Sequence, residues 1–384
     1  PPPPPPPPLP PNPPAPPGSP QWVLVNATAE PVIGPKHPDV VKHAINSGFE
    51  TGQFFRLNGI FYYTANELGT CADGGSVLWD LVTRAALWSA PTSAGPWSRV
   101  ITLRNGSHMQ TICSPKAPCT KPCGGSCCSG TPQNPSFVTW APTLIHAPSS
   151  VNASGKPVWN FFYSSNQNSH YGDGAFNGIT WAVSTTDSMV GPYVDVTGRV
   201  GSALPPGAEG VINVAVNSSH SFSAWQLRNG SWAGFKNNIP GAKSFSAGLI
   251  VPAGDPTVPG GAWKSAGPNL ASGTNCSNGM CYAPENPVVT TMSTDGKYYL
   301  AVYDALEGGS DVIGTAFSAD GVTWRYSARL TVQVSGNHPC GAIRTPLGLV
   351  PEPSRCRGCY SVLWTGITGN FRPVCHAIIR NVNE

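Results

Sequence analysis

The 384-residue sequence is poor in charge: Asp, Glu, Lys and Arg make up 11% of it, and the net charge is +3. Its cations are scattered, so it lacks the basic footprint that counterion-driven nucleic-acid binding requires. No apolar run approaches the length of a membrane span. Helical periodicity is missing from Gln21 onward. The chain starts on proline and shows no secretory leader, which predicts a mature or trimmed product. No G-x-S-x-G segment occurs, which disfavours a serine hydrolase.

Other features are abundant. Twelve cysteines fit an oxidising compartment. Six N-x-S/T sequons stand at Asn26, Asn105, Asn152, Asn217, Asn229 and Asn275, while the proline after Asn134 excludes that site. With low charge, these features predict a secreted glycoprotein. Five cysteines fall in CSPKAPCTKPCGGSCCSG (113–130), which lacks a paired CxxC grid and reads as a disulfide-stapled insert rather than a zinc knuckle. Cys276 and Cys281 flank a short loop and suit a local pair. Cys356 and Cys359 sit at one turn, and connectivity stays open.

Residues 1–20 hold fifteen prolines. Proline fixes φ and removes the amide donor, so this stretch predicts a polyproline II rod of about 3.1 Å per residue. It serves as a spacer or as a stalk for self-assembly. Its composition resembles the hydroxyproline-rich rods of plant and green-algal cell-wall glycoproteins.

Residues 21–384 read as all-β. A hairpin recurs five times, with second strands IFYYTAN (60–66), VWNFFYSS (158–165), HSFSAWQL (220–227), KYYLAVYD (297–304) and CYSVLWTG (359–366). Each follows a turn cluster such as Asn58-Gly59 or Asp295-Gly296. The preceding strands are FETGQFF, WAPTLIH, AEGVINV, APENPVV and GAIRTPLGLV. A third strand ending in Gly-Pro-aromatic repeats in ALWSAPTSAGPW (86–97) and AVSTTDSMVGPY (182–193), with a shorter form in TAFSADGVTW (315–324). Fixed-order repetition of a four-stranded unit predicts a five-bladed β-propeller, because each blade covers its neighbour's apolar face.

The innermost strands of a propeller line an axial funnel, and their starts carry three of the scarce acids: Glu50, Glu209 and Glu285. Blades two and five offer Thr143 and Arg344 there. A carboxylate at such a place can be chemical, or it can brace the funnel by pairing with an arginine such as Arg344.

Trp140-Ala141-Pro142, the Gly-Pro-aromatic turns, Glu285-x-Pro287 before DGKYYLAVYD, and the order of these motifs resemble glycoside hydrolase family 43 and its furanosidase relatives over about residues 45–380. The resemblance implies that Glu50 stands at the general base, Glu209 at the acid that tunes the proton donor, and Glu285 at the general acid. An inverting glycosidase holds acid and base roughly 6.5–9.5 Å apart, with a water between. It also implies no required cofactor and at most a calcium ion on the axis beside His338. Trp79, Trp140 and Trp225 are candidate sugar-stacking platforms, with Arg344 a further substrate contact.

The chain departs from the family pattern at Glu50-Thr51, where the family has Asp-Pro, and at Glu209, where it has Asp. One added methylene shifts a carboxylate by about 1 Å, enough to cost about 100-fold in rate. Two functions follow: a structural or carbohydrate-binding wall glycoprotein with weak or no catalysis, or an active inverting hydrolase acting on wall polysaccharides, arabinofuranosidase-, arabinanase- or xylosidase-like. The first is favoured. Either takes a glycan as its ligand.

Overall fold

A computed structural model describes residues 19–69, 82–108, 137–151, 157–167, 178–196, 216–217, 219, 221–238, 246–267, 285–307, 310–330, 332, 338–369 and 371–384. Among the described residues, twenty-one strands form five antiparallel sheets, one per blade, around an axis. The N-terminal strand β1 (Trp22–Ala27) precedes a short helix, α1 (Pro38–Lys42). Blade one is β2 (Gly48–Leu57), β3 (Ile60–Gly69), β4 (Val82–Ala90) and β5 (Ser98–His108). Blade two is β6 (Phe137–Val151), β7 (Pro157–Gln167) and β8 (Gly178–Ser184), edged by β9 (Tyr193–Asp195) and β10 (Val216–Asn217). Blade three is β11 (Phe222–Gln226), β12 (Trp232–Asn238), β13 (Ser246–Pro252) and β14 (Trp263–Ser265). Blade four is β15 (Glu285–Met292), β16 (Tyr299–Glu307), β17 (Ser310–Ser318) and β18 (Arg325–Leu330). Blade five joins β19 (Ile343–Pro351), β20 (Cys359–Gly366) and β21 (Val374–Asn381) to β1, so the two ends of the fold close the ring.

The apolar runs of the sequence explain this architecture. A middle strand is covered on both faces, so it reads as continuously apolar rather than alternating. On β16, Leu300 and Val302 face blade five, whereas Tyr299, Ala301 and Tyr303 face blade three. On β7, Phe161 and Tyr163 pack against blade one while Phe162 packs against blade three. The core is therefore five apolar wedges, one at each seam between neighbouring blades.

One strand assignment changes. HSFSAWQL supplies the innermost strand of blade three, β11, and not its second strand, which is β12. Phe222, Ala224 and Trp225 are buried against the neighbouring blades, so this inner strand looks as apolar as a middle one. The segment AEGVINV lies outside the described residues.

Two disulfides are present among the described residues. Cys356–Cys359 spans the turn between β19 and β20, and Cys340–Cys375 ties the approach to β19 to the start of β21. The insert at 113–130, the Cys276–Cys281 loop and the prolines of residues 1–17 fall outside the described residues. Ser19 and Pro20 are buried: Asn383 Nδ2 donates to Ser19 O at 2.6 Å, and Ser327 Oγ donates to Pro20 O at 2.8 Å.

Candidate functional site at the upper end of the axis

We call the end of the axis where the five inner strands begin the upper end. Three inner strands break register there in the same way. Pairing skips from Phe49 to Gly52 on β2, from Trp140 to Thr143 on β6, and from Glu285 to Val288 on β15. The bulged pairs are Glu50-Thr51, Ala141-Pro142 and Asn286-Pro287, and on β19 Arg344 is the skipped residue. Bulges re-aim side chains out of the ladder. Ala141 (φ 47°) and Asn286 (φ 45°) adopt left-handed backbone to do so. Glu50 is thus the first bulged residue of blade one, whereas Glu285 is the last paired residue above the equivalent bulge of blade four.

Backbone groups freed by the bulges are taken up across blades, as buried amides and carbonyls must be. Ala141 N donates to Thr51 Oγ1 at 2.9 Å, and Thr64 Oγ1 donates to Pro142 O at 2.7 Å. Thr143 Oγ1 donates to Phe222 O at 2.8 Å. Just below, Thr51, Gly52, Thr143, Phe222, Val288 and Thr345 leave a void of only about 20 Å³, so the axis is constricted there.

Glu50 sits above that constriction and is 0% exposed. Its Oε1 lies 2.7 Å from Arg344 Nη2, and its Oε2 accepts a hydrogen bond from Arg372 Nη1. Arg344 continues to Asp304, with Nη1 3.8 Å from Oδ2, and that oxygen also accepts from Asn286 Nδ2 at 3.2 Å. Asp304 is the cross-strand partner of Glu285. The result is a buried charge chain, Arg372–Glu50–Arg344–Asp304, that ties blades five, one and four together. Burial lowers the Arg372 guanidinium to about 10, which leaves it protonated at neutral pH. Its backbone is pinned to blade one, since Phe49 N donates to Arg372 O at 2.9 Å and Arg372 N donates to Ser47 O at 3.1 Å. Gly48 (φ +83°) permits that approach, because a Cβ there would stand 2.2 Å from Arg372 O.

The predicted residues are therefore only partly brought together. Glu50 and Arg344 meet as an ion pair. The backbone of Glu285 begins β15 at the same end, but its side chain, like the whole of Glu209 and Trp79, lies outside the described residues. Trp140 is buried beside Leu68 and Ala141 under the upper end. Trp225 is buried in the seam of blades three and four, its Nε1 donating to Gly321 O at 3.1 Å. Two residues escaped the sequence reading: Arg372, which carries no motif, and Asp304, whose place opposite Glu285 was implicit in KYYLAVYD.

His338 is held by backbone. Its Nε2 is hydrogen-bonded to Ala29 O, and its Nδ1 accepts from Cys340 N at 3.0 Å, so both ring nitrogens are engaged by backbone. Among the described residues no group of three or more His, Cys, Asp or Glu could hold a metal ion. Of the sequon residues, Asn26 and Asn229 are exposed. Asn152 and Asn275, and the side chains of Asn105 and Asn217, lie outside the described residues.

A second buried carboxylate, Glu67, lies off the axis within blade one. It receives Arg99 at 2.7 and 3.0 Å and Trp88 Nε1 at 2.9 Å, with Arg84 Nε 3.4 Å away. This arrangement satisfies both oxygens and braces the sheet.

No protein-family profile matches the sequence, and no curated protein matches it. Solved structures do match in fold. The α-L-arabinofuranosidase PaAbf62A from Podospora anserina, solved with cellotriose, aligns at 13% identity and TM-score 0.52, covering 95% of this chain and 97% of that one. A family 117 glycoside hydrolase from Zobellia galactanivorans aligns at 12% identity and TM-score 0.51, covering 95% and 92%. A GH43_1 enzyme from Xanthomonas citri, solved with xylotriose, aligns at 10% identity and TM-score 0.50, covering 92% and 90%. At these identities the likeness is one of fold: the chain is a five-bladed β-propeller similar to those of glycoside hydrolases.

Proposed function

We propose that this chain is a secreted cell-wall or matrix glycoprotein whose hydrolase-like propeller binds glycan or serves structure, with weak or no hydrolysis. The observation that carries this reading is the state of Glu50. A general base needs a lone pair aimed at water and reachable by substrate. Glu50 is fully buried, and both its oxygens face guanidinium groups. Removing either partner from a buried ion pair is expensive, so the arrangement is a brace.

The localisation rests on the sequons and the disulfides, and the glycan class on the neighbours, whose structures hold cellotriose and xylotriose. Titration calorimetry of the full chain with xylotriose, cellotriose and arabino-oligosaccharides tests the binding claim. Saturable heat for one of these supports it; silence for all, with no retention on insoluble wall polysaccharide, refutes it.

One observation favours the alternative, an active inverting hydrolase. The shared bulge register brings Glu50 and Glu285 to the same end of the axis. If Glu50 swings off Arg372 when substrate arrives, it becomes available as the base. Sugar release that is lost in Glu285→Gln would establish that reading.

A further inference from the structure

The two disulfides among the described residues differ in what they hold. Cys340–Cys375 closes a separation of 35 residues, and its cysteines are 1% and 0% exposed. Cys356–Cys359 closes a separation of only three. It lies in the turn between β19 and β20, at the lower end of the axis where the inner strands finish. A cross-link stabilises least when the loop it closes is short. This loop is also closed without it. Glu352 N donates to Cys359 O at 2.8 Å, Arg355 N to Glu352 O at 3.0 Å, and Cys359 N to Cys356 O at 3.2 Å. From the neighbouring strand, Asn381 N donates to Gly358 O at 2.8 Å. Gly358 (φ +69°) permits that approach, because a Cβ there would stand 2.5 Å from Asn381 O. The backbone already holds the turn, so the covalent bond adds little to the fold.

The two cysteines are unequally placed. Cys356 is partly exposed, whereas Cys359 is 1% exposed. A thiol arriving from solvent therefore meets Cys356. The residues on either side of it, Arg355 and Arg357, are both exposed cations. The nearby carboxylates are engaged. Glu352 accepts from Ser93, Ser361 and Arg355, and Glu384 from Thr294, Tyr360 and Asn381. Arg355 shares its charge with Glu352, which leaves Arg357 as the main cation beside Cys356. Adjacent positive charge favours a thiolate, and a thiol of low pKa leaves a disulfide faster. C-x-x-C is the spacing of thiol–disulfide exchange sites, carried here on a hairpin turn.

We infer that Cys356–Cys359 is an exchange site that takes two electrons from a dithiol. One thiolate of the dithiol attacks Cys356 Sγ. The Cys356–Cys359 bond breaks, and Cys359 leaves as a thiolate that takes up a proton from water. The second thiolate then attacks the dithiol's own sulfur in the mixed disulfide, and Cys356 leaves as a thiolate favoured by Arg357. Two thiols become one disulfide, and the protein disulfide becomes two thiols. The inference is independent of whether the chain binds glycan.

The test equilibrates the full chain in glutathione redox buffers, followed by acid quench, alkylation and mass spectrometry of the cysteine-bearing peptides. Cys356 and Cys359 become half-reduced at a glutathione ratio at least about tenfold less reducing than Cys340 and Cys375 require, with the near-UV circular dichroism unchanged. In Cys359→Ser the thiol of Cys356 captures oxidised glutathione at least about tenfold faster than the thiol of Cys359 does in Cys356→Ser. Alkylation of Cys356 in Cys359→Ser has a pH midpoint about one unit below the ordinary thiol value of about 8.5, and Arg357→Gln raises it. The intact chain oxidises about one more equivalent of a dithiol peptide than the chain with both cysteines replaced by Ser. Thermal melts establish that each variant is folded. Opening of the pair only together with Cys340–Cys375, loss of the near-UV signal as the pair opens, or equal capture by the two single variants would overturn the inference. So would an alkylation midpoint at the ordinary value or unmoved by Arg357→Gln, or equal oxidation of the peptide by both chains.

Discussion

The two ends of the axis are built on opposite principles. At the upper end the inner strands bulge, and the Glu50, Arg344 and Asn286 they release meet Arg372 and Asp304 from outside those strands in one cluster of opposed charges. At the lower end the strands surround an aromatic cavity of about 600 Å³. The conspicuous acid, Glu50, is gripped by two guanidinium groups, whereas among the described residues no carboxylate lines the lower cavity. On this comparison, substitutions at the upper end cost the fold more than those at the lower end.

The largest effect is expected from Arg372→Met, which strands Glu50 in the interior with one guanidinium. Equilibrium urea unfolding should show a loss of about 3–5 kcal/mol. Replacing Glu50 by Leu and Arg372 by Met together should cost less than Arg372→Met alone. A loss under about 1 kcal/mol for the single change would break the comparison.

Next comes the Cys340–Cys375 bridge, which secures blade five at the upper end across a separation of 35 residues. Replacing both cysteines by Ala should cost about 3–4 kcal/mol on the chain-entropy model, again by urea unfolding.

Toward the lower end, at the seam of blades one and five, a buried network gives an acid response. His376 Nε2 lies 3.1 Å from Ser93 Oγ, and Ser93 Oγ donates to Glu352 Oε1 at 2.5 Å. Burial lowers His376 to about 4, against a smaller opposing pull from Glu352. The folded state therefore holds His376 neutral while the unfolded chain takes up a proton near the ordinary imidazole value of 6.5. Stability falls as pH drops from about 6.5 to about 4, by at most about 3 kcal/mol. For Glu352, burial alone would raise its titration, but hydrogen bonds from Ser361, Ser93 and Arg355 outweigh it and the net shift is downward. Its contribution is present above the unfolded carboxylate range and is also lost in acid. Thermal melts between pH 7 and pH 4 should show this loss, and His376→Gln should flatten the part above pH 5.

The smallest effect is at the lower rim. Arg228 donates to the carbonyls of Ala319, Gly296 and Lys297 at 2.8–2.9 Å, but it is exposed. Arg228→Ala should cost about 1 kcal/mol.

Much of the fold was legible because propeller strands carry their burial in their order. KYYLAVYD and VWNFFYSS are apolar on both faces, and the Gly-Pro-aromatic turns at Gly95-Pro96 and Gly191-Pro192 recur in structure as they do in sequence. Blade three misled because its inner strand, wedged between two blades, is as apolar as a middle strand. The position of Glu50 was legible from scarcity of acid and the start of a strand. Its partnership was not: Arg372 lies 322 residues away and reaches Glu50 only when the ring closes. The Cys340–Cys375 bridge was hidden for the same reason, whereas the Cys356–Cys359 turn announces itself. The lower cavity has no sequence signature, because it is assembled from short stretches of all five blades.

The most direct test of the central claim, that Glu50 braces the propeller and does not activate water, is sugar release from arabinosides, xylosides and galactosides by the intact chain beside a folded Glu50→Gln variant. Sugar release by the intact chain should be weak or absent, and Glu50→Gln should leave it unchanged. Turnover by the intact chain that falls about 100-fold or more in Glu50→Gln, with its fold retained, would contradict it.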